Sequence, residues 1–195
     1  MPGKSLHRHL ESRIALGRNT DSIAISHSDL RQVPDTQEVF MAADSDLSLI
    51  VEVLELVKED GAADSLEKAL KFHFSSLAHD NSALSSDIST FNLPSAAPHP
   101  LGPGLPTLLG PATLEGRQTV SKFNKPDSEA DTVFIQLALW RIPDRDADVT
   151  LCVNWPVRSG ETGEERDEAE ARKVFEEAWR SFQINDFGLF AGSAA

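Results

Sequence analysis

DTVFIQLALWRI (131–142) and ADVTLCVNWPV (147–157) decide the fold of this chain. In the first segment Val133, Ile135, Leu137 and Leu139 fall on one face of a strand, with Phe134, Ala138 and Trp140 on the other. In the second, Val149, Leu151, Val153 and Trp155 alternate with Thr150, Cys152 and Asn154. A period of two residues is the mark of a β-strand. The link Pro143–Asp146 is short enough to predict an antiparallel hairpin.

Outward from this hairpin, residues 112–123 read as a third strand. Residues 165–182 read as a helix, with Ala171, Val174, Phe175, Ala178, Trp179 and Phe182 in one apolar stripe and acids crowding its first turns, where the helix dipole favours them. The tail 184–190 is apolar enough to dock. Upstream, residues 92–111 hold six of the eleven prolines and read as a Pro/Gly surface loop. A helix is expected from Asp64, with Asp64 as cap and Glu67 as capping-box partner. Leu66, Ala69, Leu70, His73, Phe74 and Leu77 form its buried stripe, so His73 reads as a packed histidine with one satisfied nitrogen. LSLIVEVLELV (47–57) is apolar on both faces apart from Glu52 and Glu55, as in a strand covered on both sides. Either acid could extend an acidic patch, but both are read as solvated at a sheet margin. Residues 37–42 form a short strand after a turn at 29–34, and residues 1–28 show little periodicity.

Composition narrows the function. The 195 residues suit one domain. Asp and Glu number 31 against 18 Lys and Arg, a net charge of −13. That excludes the basic footprint of a nucleic-acid binder or of an anionic-membrane binder, and favours a basic partner. No apolar run reaches the length of a membrane span. Residues 1–20 carry Lys4, Arg8, Arg13 and Arg18 against Glu11, as transit peptides can, but read as a loosely ordered tail. Neither a GxxxxGK[ST] nor a GxGxxG loop is present, nor a GxSxG or HExxH motif, so no nucleotide, cofactor or hydrolytic centre is expected. The six histidines lack metal-ligand spacing, and Cys152 reads as a small buried hydrophobe. The run 160–170 reads as a solvated charged face, and the three tryptophans as core.

Two carboxylates stand apart. Asp35 and Glu38 lie three residues apart between the Val33-Pro34 break and the strand. By chemistry alone Asp35 could cap a turn and Glu38 could be a solvated strand residue.

Three segments give these acids more meaning: LRQVPDTQEVF (30–40), KFNKPDSEADTVFIQLALWRI (122–142) and SFQINDFGLFA (181–191). Together they resemble the Ran guanine nucleotide release factors, the Mog-type proteins of nuclear import, over roughly residues 28–80 and 112–191. The resemblance implies an α+β fold, an antiparallel sheet flanked by helices in an α/β/α sandwich shared with PsbP proteins. It implies one Mog/PsbP-like domain over 29–191, with 92–111 as an insertion and 1–28 as a divergent, poorly ordered N-terminus. It implies binding to the Ran GTPase through an acidic patch containing Asp35 and Glu38, nucleotide release without covalent chemistry or cofactor, a monomer, and residence in nucleus and cytoplasm. The alternative is an adaptor of the same fold without exchange activity. One departure is plain. The family opens with a Gly-rich strand resembling F-G-G-A-I, whereas residues 9–29 here read HLESRIALGRNTDSIAISHSD, and only Ile23–Ile25 could stand in for part of the family's next segment.

Overall fold

A computed structural model describes residues 14–15, 25–27, 36–42, 45–94, 99–100, 105–121, 130–157 and 164–190. Its strands in chain order are β1 (Ile14–Ala15), β2 (Ile25–His27), β3 (Gln37–Ala42), β4 (Ser48–Glu55), β5 (Ser85–Asn92), β6 (His99–Pro100), β7 (Thr107–Val120), β8 (Asp131–Ile142), β9 (Ala147–Val157) and β10 (Gln183–Ile184). Two long helices accompany them, α1 (Leu66–Asp80) and α2 (Glu164–Ser181). The main sheet runs β2-β3-β4-β9-β8-β7-β5, with β6 also on β7, and every pairing is antiparallel.

The expected hairpin is the centre of this sheet. β8 and β9 pair from Thr132–Val157 to Ile142–Ala147, joined by a 3-10 turn at Pro143–Arg145. Asp146 closes the turn in the left-handed region, at φ 50°. The alternation read from the sequence sorts side chains into two cores. Phe134, Ala138, Trp140, Val149, Leu151 and Val153 face α2, where Ala171, Val174, Phe175 and Ala178 cover them. Ile135, Leu137, Leu139 and Cys152 face α1, under Ala69, Leu70 and Phe74. One helix on each face makes the α/β/α sandwich. The C-terminal stretch docks as its composition predicts: Phe190 is buried in the α2-side core, and Ile184 and Phe187 pack against it. Just before it, Phe182 stacks on Trp140 with ring centroids 4.4 Å apart.

Four expectations need correction. The cap of α1 is Ser65, not Asp64; its side chain accepts from the Lys68 backbone N–H at 3.2 Å. The box position is therefore a lysine, and Glu67 has no capping role. Second, the strand expected at 112–123 starts five residues earlier, so 107–111 of the Pro/Gly stretch belong to β7. Pro111 is tolerated because it sits at a register shift between Leu109 and Ala112, where the ladder is already interrupted. Gly110 is needed there: its φ is +108°, and a Cβ would lie 2.5 Å from the Leu139 carbonyl oxygen. Third, β5 has no counterpart in the sequence reading. SSDISTFN lacks an apolar alternation because almost all of it is exposed. Fourth, residues 1–28 contain two short pairings: Ile14–Ala15 joins Gln183–Ile184, and Ile25–His27 extends the sheet beyond β3. The remainder of that segment lies outside the described residues.

Candidate partner-binding site

β3 forms because QEVFMA alternates and because β4 offers it the apolar run Leu49–Val51 as a neighbour. The entry to the strand is fixed by the Val53 N–H, which donates to the Thr36 carbonyl at 2.8 Å. The register places Gln37 opposite Glu52, Glu38 opposite Val51 and Phe40 opposite Leu49. Directly opposed residues share a face of the sheet. Leu49 and Val51 belong to the α2-side core, so Glu38, Phe40 and Ala42 point that way. Gln37, Val39 and Met41 point to the α1 side.

The two expected site residues are thereby treated very differently. Asp35 lies outside the described residues. Glu38 is described, and it is buried, only 4% exposed. It is not the exposed half of a surface patch. Buried carboxylates keep their charge only with partners, and Glu38 is engaged in contacts of its own.

The opposite face of the sheet carries, on β4, a second carboxylate that the sequence reading set aside. Glu52 was expected to face solvent at a sheet margin. It lies instead on the third strand from the edge and is half-buried, accepting a 2.6 Å hydrogen bond from Gln37 Nε2. Burial pushes its carboxyl above the usual carboxylate range, against the opposing pull of the Gln37 hydrogen bond. Beneath it is a cavity of about 110 Å³, lined among others by Glu52, His73, Asp80, Thr150 and Cys152. A perturbed carboxylate beside a histidine is a pattern of acid–base sites, but here the room is wrong. Substrate pockets run to roughly 300–1,000 Å³, and this space admits a few waters. Cys152 is no nucleophile either, since burial raises its thiol to about 12. Glu55, by contrast, is exposed as expected.

Deeper on the same face lies a network the sequence reading missed. Asp148 is fully buried and accepts from Arg141 Nε at 2.7 Å, from the Val57 N–H at 3.1 Å, and meets His73 Nε2 at 2.9 Å. Arg141, 1% exposed, also donates to the carbonyls of Val57 and Ala62. His73 is thus the packed, bonded histidine expected. The ion pair itself was visible in principle. Arg141 and Asp148 flank the hairpin link symmetrically and are cross-strand partners. The network ties the 57–62 connector to the hairpin. Its carboxylate is saturated with internal donors, so its job is structural.

On the α2 face, Glu168 departs from the solvated reading of its charge run. It is 9% exposed and bonded to Arg117 and Arg172, whose guanidinium groups lie over Phe134. Among the described residues, no group of three metal-ligating side chains occurs and no helix is long and apolar enough to cross a membrane.

The comparisons with known proteins now have a geometry to attach to. Residues 15–156 match the family model described as Ran-interacting Mog1 protein. The Ran guanine nucleotide release factor of Danio rerio is 32% identical over 143 residues, 73% of this chain and 74% of that protein. The nuclear import protein MOG1 of Saccharomyces cerevisiae is 29% identical over 191 residues, 86% of this chain and 77% of its own. A solved structure of a glutamate-to-alanine mutant of Mog1 superposes with a TM-score of 0.62 at 25% identity, covering 85% of this chain and 89% of that one.

Proposed function

The chain belongs to the Ran-interacting Mog1 family, and we propose that it is a Ran-binding guanine nucleotide release factor of nucleocytoplasmic transport, with Asp35 and Glu38 at the Ran interface. The observation that carries this reading is the match to curated relatives named as Ran guanine nucleotide release factors across two thirds or more of their length. The protein acts as a monomer, works in both nucleus and cytoplasm, and makes or breaks no covalent bond.

The mechanism follows from charge and linkage. A chain of net charge −13 speeds encounter with a basic surface. Close charge pairs across an interface couple by about 1.5–7 kcal/mol, so one or two engaged carboxylates suffice to hold a cation of the GTPase. Coupling between sites is reciprocal. If this protein weakens nucleotide binding to Ran, nucleotide weakens its own binding by the same factor. It therefore acts by preferring the nucleotide-free or loosened GTPase. Burial of Glu38 adds a condition. A partner reads it at the start of β3, beside the turn at Thr36, rather than from across an open sheet face.

The test is release of a fluorescent guanine nucleotide from Ran, with and without the protein, at low and physiological salt. Acceleration that weakens with salt is expected. The variant is Asp35→Asn with Glu38→Gln, which removes both charges and keeps both volumes. Its fold is checked by circular dichroism. Loss of acceleration in the folded variant supports the site; unchanged acceleration overturns it.

A further inference from the structure

The end of the sheet farthest from β2 and β3 is β5. Its inner edge pairs with β7, while among the described residues nothing pairs with its outer edge. Seven of its eight residues are exposed. A row of free backbone N–H and C=O groups on such a strand is a template for another strand. Natural edges are blunted by lysine, proline, shortness or bulges. β5 is eight residues long, contains neither Pro nor Lys, and carries one charge, Asp87. It has a single irregularity, between Ile88 and Thr90. Apolar surface lies along it: Leu84, Ile88 and Leu93 are 51%, 38% and 53% exposed.

We propose that the β5 edge is a docking site for an extended, lysine- or arginine-bearing segment of a partner protein, taken up by antiparallel strand addition. The backbone edge dictates the conformation of the occupant, since only an extended chain can satisfy it. The charge dictates its composition. A net charge of −13 repels a second copy of this chain and attracts a basic one. Asp87 is opposite Arg117 in the β5–β7 ladder, but Arg117 is paired with Glu168, and among the described residues Asp87 has no ion pair within 4 Å, which leaves its carboxylate for a cation of the incoming strand. Ile88 and Leu93 supply apolar contact for alternate side chains of the incoming strand. The β5 edge lies five strand spacings from β3, about 24 Å at about 4.8 Å each. Occupation there leaves β3 accessible, so two partners can be held at once.

The experiment uses the full chain and a capped eight-residue peptide of alternating Thr and Val with Lys at each end. Amide hydrogen exchange and ¹⁵N–¹H shifts are followed during titration. Saturable binding is expected, with at least tenfold slower exchange at alternate amides of Ser85–Asn92. Affinity falls at least tenfold when the central Val of the peptide is Pro, and severalfold when its lysines are Glu. Ile88→Lys in the protein, at an exposed position the fold tolerates, abolishes the protection while the spectrum stays folded. Asp87→Asn weakens the Lys-ended peptide but not a neutral-ended one. The proposal is overturned by absence of protection at β5 at millimolar peptide, by protection at another edge, or by a dimer in sedimentation that protects β5 without peptide.

Discussion

Replacing Asp148 by Ala tests the physical account of the α1-side core most severely. The carboxylate is fully buried and has three partners: Arg141 Nε, the Val57 N–H and His73 Nε2. Its removal strands a guanidinium that is itself 1% exposed. Breaking one side of a buried ion pair costs about 3–5 kcal/mol, because the remaining charge stays buried. The orphaned Val57 N–H alone is a penalty of about 1–3 kcal/mol. The terms belong to one network and do not add, so the expected loss is about 4 kcal/mol. For a chain of 195 residues that lowers Tm by roughly 8–16 °C, at about 2–4 °C per kcal/mol.

Urea denaturation gives the stability, and hydrogen exchange locates the damage. Arg141 donates to the Val57 and Ala62 carbonyls, so exchange in the 57–63 connector should quicken before that in β8 and β9. A cycle with Arg141→Met completes the test. The double variant should be more stable than the sum of the single losses predicts, by about 0.5–3 kcal/mol, since it leaves no unpaired charge. A loss under about 1 kcal/mol for Asp148→Ala, or strict additivity in the cycle, refutes the reasoning.

Three further outcomes are expected. Glu52→Gln should stabilise the protein at neutral pH: the folded carboxyl is raised above 4.5 by burial, so its favourable contribution is complete below that value and is lost as pH rises through the folded pKa. Stability against pH from 4 to 8, by urea midpoint, should flatten in the variant; an unchanged slope rejects the shift. Cys152, with its thiol near 12, should react with a thiol reagent at pH 8 only as fast as the chain unfolds, so labelling should accelerate with urea; rapid labelling of the native protein contradicts its burial. Gly116→Ala should cost about 1–3 kcal/mol, because the added Cβ meets both the Asp87 carbonyl oxygen and Phe74 Cζ at 2.5 Å; a neutral effect by thermal melt contradicts that packing.

What the sequence made legible tracks burial. β8 and β9 are covered on both faces, so their alternation predicts which residues share a face, and the structure sorts the same residues into the two cores. α1 and α2 announce themselves through apolar stripes. β5 is illegible for the converse reason. An edge strand is held by its ladder to β7 and buries almost nothing, so its side chains are free to be Ser, Asp and Thr. Asp64 and Ser65 are adjacent residues able to cap, and composition does not choose between them; the backbone turns extended at Ser65, and that residue caps. The family resemblance, carried by three short motifs, supplied what periodicity does not: the sandwich topology and the partner.

At the candidate site, strand period decides which way Glu38 points. Asp35 and Glu38 are three apart, which looks like a pair. Within a strand, residues two apart share a face. QEVFMA itself puts Glu38 with Phe40 and Ala42, the apolar side, and Gln37 with Val39 and Met41. The structure follows that period, burying Glu38 against the α2-side core and bonding Gln37 to Glu52 on the other side. Glu38→Ala therefore mixes two effects, a lost charge and a hole in the core margin, whereas Glu38→Gln keeps the volume. A release defect shared by both variants reports charge. A defect confined to the Ala variant, together with a lower urea midpoint, reports packing and assigns the contact with Ran to other residues.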